Sequence, residues 1–135
     1  MAGELAERSG ESRIGIRHVD LAQEKIDQDR VIEITKAQPK QSQAILYAII
    51  QLSEKDKNVE TGNVVDVYNR LCGEYGLKPL TQRRVSDLIA ELDMFGMIQT
   101  RVISKGRYGR TRVIELALSD ALREKAKTLL KEVFY

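Results

Sequence analysis

A short basic segment between two strand-like runs is the part of the sequence best suited to binding another molecule. Residues 102–116 read VISKGRYGRTRVIEL, with four cationic side chains and no acidic residue between Arg101 and Glu115. Two glycines in the loop allow a tight turn and a close approach to a ligand. Because a turn needs no positive charge, these cations indicate a surface that binds a polyanion.

Positive charge is concentrated in one region of the chain. The 135 residues carry a net charge of only +2, yet residues 81–112 hold seven Lys/Arg against three Asp/Glu, and residues 1–37 hold six against eight. A basic segment on a nearly neutral chain favours a docking surface for a polyanion such as nucleic acid. The alternative is a solvated surface whose balancing acids lie nearby in the fold.

The segment before the basic loop has the pattern of a helix that reads DNA. Thr81 is predicted to cap a helix over 82–95 whose apolar residues recur at i, i+3, i+4, i+7. Its opposite face and first turn carry long polar side chains, which could reach base edges in the major groove, and the small Ser86 allows a deep approach. The alternative is an amphipathic surface helix without a partner. The predicted DNA-binding residues of helix and loop are Thr81, Gln82, Arg83, Arg84, Ser86, Lys105, Arg107, Tyr108, Arg110 and Arg112.

The order of elements predicts a winged helix-turn-helix preceded by a helical arm. Apolar spacing predicts helices over 16–36, 42–52, 62–75, 82–95 and 120–134, the tail of another helix at 2–8, a polar connection at 53–60, and strands over 98–103 and 111–118. Thr61 and Ser119 are predicted helix caps, and Gly76 a helix stop. The predicted fold is therefore mostly α with a small β-hairpin (α+β), with residues 1–37 as a helical segment and 38–135 as the DNA-binding domain.

Other classes of chemistry find no support in the sequence. His18 is the only histidine and Cys72 the only cysteine, so we expect neither a zinc site nor a disulfide, and Cys72 is predicted to be core. We find no GxxxxGK[ST] phosphate loop and no catalytic constellation, so an enzyme is not expected. No apolar run approaches the roughly 20 residues of a membrane helix. A cytoplasmic location without membrane contact fits these features.

Two stretches of the chain resemble a known family. KPLTQRRVSDLIAELDMFGMI and SKGRYGRTRVIEL resemble the C-terminal winged-helix domain of archaeal replication initiators of the origin-recognition-complex / cell-division-cycle type. The upstream stretch IRHVDLAQEKIDQDRVIEITKAQPKQSQAILYAI resembles the end of that family's AAA+ lid, which would assign residues 1–37 to the lid. Family members carry an ATPase module before this region, so the chain resembles a C-terminal excerpt.

The resemblance implies a function and partners. It implies binding of double-stranded origin DNA, with the helix after Thr81 in the major groove and the wing at the adjacent minor groove, and a nucleoid-associated location. ATP and Mg²⁺ would belong to the missing ATPase module, so no cofactor is expected in this chain. The replicative helicase and other initiator subunits are further expected partners.

Two other functions remain open from the residues themselves. A winged-helix transcriptional regulator would need a dimer interface or an effector pocket, and it would bind at promoters rather than at origins. A winged helix used for protein contacts would dock an acidic partner such as the helicase on the same cations.

Overall fold

Five helices and a small antiparallel sheet form the part of the chain that the computed structural model describes, residues 25–104 and 106–134. The helices are α1 (described over 25–37), α2 (Lys40–Ser53), α3 (Thr61–Tyr75), α4 (Gln82–Met94) and α5 (Asp120–Phe134). The strands are β1 (Val59–Glu60), β2 (Ile98–Ser104) and β3 (Arg110–Leu116), and a 3-10 turn, Gly106–Tyr108, lies between β2 and β3. The predicted α+β winged helix-turn-helix is therefore confirmed.

Helix α2 lies at the centre of the core. Nine consecutive residues, 42–50, are buried, and Ile45 and Ile49 are fully inaccessible. The sequence pattern predicts that only one face of this helix is buried, and the observed burial is wider. The run AILYAII, residues 44–50, has no polar side chain that could face solvent. Helices α3, α4 and α5 and strand β3 surround it. Each fully buried aliphatic side chain contributes on the order of 1.5–3 kcal/mol to stability.

Strand β1 lies within residues 53–60, where the sequence predicts only a polar connection. It pairs antiparallel with β3, with Val59 opposite Ile114, and β3 pairs with β2, so the strand order is β1–β3–β2. Both Val59 and Ile114 are buried. A two-residue strand has no measurable period, so only its distant partner identifies it.

Thr61 is not the N-cap that the sequence predicted. It is the first residue of α3, and Glu60 precedes it in the capping position without a side-chain hydrogen bond to the helix. The Thr61 hydroxyl instead donates to the Arg112 carbonyl oxygen at 3.1 Å. This hydrogen bond joins the start of α3 to β3. The Thr61 hydroxyl therefore connects two elements instead of capping its own helix.

Helix α5 closes the domain against α2. Ser119 caps it as predicted, because its hydroxyl accepts the Leu122 N–H at 3.3 Å. At the other side of the interface, Lys127 Nζ lies 2.7 Å from Glu54 Oε1, just beyond the end of α2. The α5 residues Ala126, Leu130 and Phe134 complete the core.

The described part of α1 packs on the winged helix. Val31 joins the core cluster, and the Gln43 side-chain amide donates to the Thr35 carbonyl oxygen at 2.9 Å. The helix predicted over 16–36 is confirmed from residue 25 onward. The predicted helix tail at 2–8, the start of the 16–36 helix, and His18 lie outside the described residues, as does Lys105.

Candidate nucleic-acid interface

Helix α4 exposes a polar first turn and buries the opposite side. Thr81 caps it as predicted, because its hydroxyl accepts the Arg84 N–H at 3.2 Å. The predicted apolar stripe is buried: Val85, Leu88, Ile89 and Leu92. The predicted DNA-binding side chains at the helix start are exposed: Thr81, Gln82, Arg83 and Arg84. Ser86 is half-buried, so it lies at the edge of this face rather than at its centre.

The turn between α3 and α4 is held by side-chain hydrogen bonds from Tyr68 and Gln41. Gly76 ends α3 with φ +70°, a conformation that side chains rarely adopt, as the sequence predicted. The Tyr68 hydroxyl accepts the Leu80 N–H at 2.9 Å and donates to Gln41 Oε1. The Gln41 amide donates to the Lys78 carbonyl oxygen at 2.9 Å. These contacts fix the turn on both sides of Pro79, and therefore fix where α4 begins.

Burial disfavours ionisation of the Tyr68 phenol. Its side chain is fully inaccessible, and this desolvation raises its pKa above the ordinary 10.0, although the Leu80 N–H opposes the shift. A protonated phenol can donate and accept at once, as the contacts with Gln41 and Leu80 require. The Tyr68 hydroxyl therefore serves the turn as both donor and acceptor.

The wing is a regular hairpin with a short turn at its tip. Strands β2 and β3 pair from Ile98–Leu116 to Ser104–Arg110. The tip contains the 3-10 turn, closed by the Gly109 N–H donating to the Gly106 carbonyl oxygen at 3.2 Å. Gly109 has φ +88°, so a side chain there would be strained. The backbone of the tip is therefore compact, and it carries Arg107 exposed at its end.

The register places two wing arginines on one face. Directly paired residues of an antiparallel ladder share a face, and successive residues alternate. Arg112 pairs with Val102 and Arg110 with Ser104, on the face that carries the buried Ile114 further along β3. Both arginines are exposed. The wing thus extends the core-facing side of the sheet into a cationic surface beyond the core.

The helix cations are weakly held within the protein. Arg84 Nη1 lies 3.8 Å from Asp87 Oδ2, and both side chains are more than half exposed. Such a surface pair contributes little and is readily exchanged for a phosphate. Among the described residues, no hydrogen bond or ion pair engages the Arg83 side chain. The first turn of α4 therefore presents positive charge that is available to a ligand.

Two other cations near the interface differ in their placement. Arg101 pairs with Val113, so it lies on the opposite face of the sheet, and its guanidinium donates to Asn58 Oδ1 at 2.9 Å. Lys78 is exposed in the turn directly before α4 and is not among the residues predicted from the sequence to bind DNA. Its position beside Pro79, a residue typical of turns, could have placed Lys78 in the exposed turn before α4. The side chain of Tyr108 lies outside what the structure describes.

No cluster of metal-ligating side chains is assembled in the described ranges. No group of three or more His, Cys, Asp or Glu side chains there could hold a metal ion. Cys72 is buried as predicted, and burial raises the pKa of its thiol, which disfavours the reactive thiolate. No helix in residues 25–104 and 106–134 combines the length and apolar character needed to cross a membrane.

Comparison with protein families and curated sequences finds clear similarity. Residues 33–126 match the family described as "CDC6, C terminal winged helix domain". The "ORC1-type DNA replication protein" of Pyrococcus abyssi is 55% identical over 117 residues, 86% of this chain and 28% of the relative. The "ORC1-type DNA replication protein 1" of Archaeoglobus fulgidus is 45% identical over 126 residues, 93% of this chain and 31% of the relative. The chain therefore spans less than a third of these curated relatives.

Solved structures share the fold. The Aeropyrum pernix ORC1 protein, in complex with DNA, matches with a TM-score of 0.78 and 36% identity, covering 87% of this chain and 30% of that one. The Cdc6p of Pyrobaculum aerophilum matches with a TM-score of 0.60 and 20% identity, covering 76% and 26%. The second likeness shows the fold alone.

Proposed function

The chain belongs to the family of CDC6 C-terminal winged helix domains, and from that membership we propose that it binds duplex DNA at replication origins. It would do so as the DNA-binding module of an archaeal replication initiator. The observation that carries the proposal is the pair of exposed cationic surfaces, the first turn of α4 and the wing, in a chain similar to an ORC1 protein solved with DNA.

Helix and wing would have different roles on the duplex. Arg83, next to the capped start of α4, would reach a base edge in the major groove, with Gln82 beside it and Arg84 on a phosphate. The wing cations Lys105, Arg107, Arg110 and Arg112 would contact phosphates or the adjacent minor groove, where base readout is degenerate. Tyr108 would pack on a sugar. The exposed Lys78 would add a phosphate contact before α4.

Functions of the longer protein are also proposals. Curated relatives are more than three times as long as the matched region. An AAA+ module in such a protein would bind ATP with Mg²⁺ and hydrolyse it, and residues 1–37 would end its lid. The assembled initiator would contact the replicative helicase and other initiator subunits, and would act on the nucleoid in the cytoplasm.

The test is a titration of labelled origin duplex and random duplex at several salt concentrations. We expect about four to six phosphates to be engaged, so log K should fall with log salt with a slope of roughly −4 to −5. Origin duplex should bind more tightly than random duplex at every salt concentration. A slope near zero would instead favour docking of a protein partner, and a footprint confined to promoters would favour a transcriptional regulator.

A further inference from the structure

A side-chain hydrogen bond joins α4 to the wing strand β2. Thr100, the third residue of β2, donates its hydroxyl to Asp93 Oδ2 in the last turn of α4, at 2.7 Å. The connection between helix and strand is tight: the Gly96 N–H donates to the Asp93 carbonyl oxygen at 2.9 Å and the Met97 N–H to the Leu92 carbonyl oxygen at 3.1 Å. Helix and wing therefore meet at one compact joint, residues 93–100.

The joint lies at the base of two long arms. Arg83 lies ten residues before Asp93, or about 15 Å along α4. Ser104, where β2 ends, lies four residues beyond Thr100, about 13 Å along the strand, and Arg107 lies further out. A rotation of about 10° at the joint would therefore move either tip by roughly 2–3 Å, well beyond the tolerance of about 0.5 Å for a binding site.

Asp93 is an acidic residue within the basic segment 81–112, at a position where a negative charge is unfavourable. It is one of only three acids in residues 81–112, and it lies in the last turn of α4, where a negative charge opposes the helix dipole. A carboxylate also repels a polyanion. Since it is half-buried and engaged by Thr100, its position is explained by the contact it makes inside the protein.

We propose that the Asp93–Thr100 hydrogen bond fixes the angle between α4 and the wing, so that both can engage one duplex at the same time. The proposal rests on the DNA-binding function proposed above. Asp93 and Thr100 are then positioning residues, which need not touch DNA. Two contact surfaces held at a fixed separation bind cooperatively, because engagement of the first places the second at its own site.

The experiment is a double-mutant cycle between Thr100→Val and Arg107→Ala in the full 135-residue chain. Valine keeps the shape of threonine and removes the donor. In wild type, Arg107→Ala should weaken binding of origin duplex. In the Thr100→Val background, Arg107→Ala should cause a fold-loss of duplex affinity about three times smaller than in wild type, because a wing whose orientation is no longer fixed contributes less to binding.

Three further variants separate positioning from general damage. Thr100→Ser keeps the hydroxyl and should restore the full effect of Arg107→Ala. Asp93→Asn keeps an acceptor for Thr100 and should retain the coupling. Thr111→Val makes the same chemical change elsewhere on the hairpin, in β3 opposite Ile103, and should add independently to Arg107→Ala.

Simple additivity of Thr100→Val and Arg107→Ala, in a wild type that binds duplex, would overturn the proposal. Failure of the wild type to bind duplex would instead overturn the proposed function. In that case the relative orientation of α4 and β2 can be measured without DNA, from residual dipolar couplings of their backbone amides. These should report one orientation in wild type and a broadened distribution in Thr100→Val, and an unchanged single orientation would contradict the proposal.

Discussion

At the scale of single residues, Tyr68 connects helix α3 to the start of α2 and to the turn before α4. Its ring is buried in α3, and its hydroxyl joins Gln41 at the start of α2 to Leu80 in the turn before α4. Because the Leu80 N–H and the Gln41 oxygen both depend on this one atom, the phenol sets the geometry of the helix-turn-helix. It does so from a position that DNA cannot reach.

We expect Tyr68→Phe to lower the free energy of unfolding by about 1–3 kcal/mol, because the Leu80 N–H loses its partner inside the protein. Urea denaturation followed by circular dichroism measures the change. Asn69→Ala, at the exposed neighbouring position of α3, should stay within about 0.5 kcal/mol of wild type. Equal stability of Tyr68→Phe and wild type would show that solvent reaches the turn.

The pair Lys127–Glu54 predicts a pH dependence of stability. The hydrogen bond with Glu54 raises the pKa of Lys127 above its ordinary 10.5. Since the folded state holds this proton more tightly, the pair stabilises the fold at lower pH, and the contribution is lost as pH rises through the raised pKa. Wild type should therefore exceed Glu54→Gln in stability at pH values below the ordinary Lys127 pKa of 10.5, and the gap should close as the pH rises above it.

Chemical denaturation of both proteins across this pH range provides the measurement. Glu132→Gln makes the same chemical change at an exposed position of α5 and should leave the profile of wild type unchanged. A gap between wild type and Glu54→Gln that persists at the highest pH would contradict the role assigned to the Lys127 proton.

At the scale of elements, α4 and the wing are expected to divide the work of recognition. Arg83→Ala should weaken binding to the cognate site more than to random duplex, because an arginine paired with guanine gives about 1–3 kcal/mol of discrimination. Arg107→Ala should weaken both duplexes similarly and make the salt slope shallower by about one. Paired titrations on both duplexes at several salt concentrations measure these effects.

The two arginine variants also control for each other. Both side chains are exposed, so unfolding midpoints should stay near that of wild type. An equal loss on cognate and random duplex for Arg83→Ala would mean that α4 contacts backbone phosphates instead of reading bases. The assignment of the recognition face would then be wrong.

Elements with local signals were predicted well from the sequence. The cap at Thr81 and the stop at Gly76 depend on residues within one helical turn, so the sequence pattern contains them. The apolar stripe of α4 is confirmed for the same reason. The exposed residues of α4 and the wing could likewise be named as candidates, because amphipathic spacing separates them from the core.

Features that depend on distant partners were not predictable. Strand β1 exists because β3 lies beside it, and Thr61 gives its hydroxyl to the Arg112 carbonyl rather than to its own helix. Alternation was also an incomplete guide in β3, where Val113 and Ile114 are both buried although they lie on opposite faces. The joint at Asp93 and Thr100 has no sequence signature, since it requires knowing how the hairpin folds back on α4.

At the scale of the whole molecule, the described part of α1 is integrated with the winged helix. The Arg30 guanidinium donates to the Phe95 carbonyl oxygen at 3.4 Å, at the end of α4, and Val31 belongs to the core. The division into 1–37 and 38–135 remains a prediction about the longer protein. Contacts across residue 37 show that α1 and the domain share one packed interior.

We expect the chain to bind no ATP. Its sequence contains no GxxxxGK[ST] loop to hold the phosphates. Isothermal calorimetry with Mg-ATP should give no stoichiometric heat, and a duplex titration under the same conditions serves as the positive control. Saturable binding of ATP by the 135-residue chain would show that a nucleotide site exists outside any phosphate loop.

The wing strand β2 has a consequence for the handling of the protein in solution. It is one of the two edge strands of the described sheet, and Val102 and Ile103 on it are 58% and 38% exposed. An apolar edge of this kind favours strand-to-strand aggregation, which like-charged side chains suppress. We therefore expect the arginines of the wing to protect the protein against aggregation. Concentrated salt shortens the screening length from about 10 Å at 0.1 M to about 3 Å at 1 M. It should therefore weaken that protection under the same conditions that would release DNA bound as proposed.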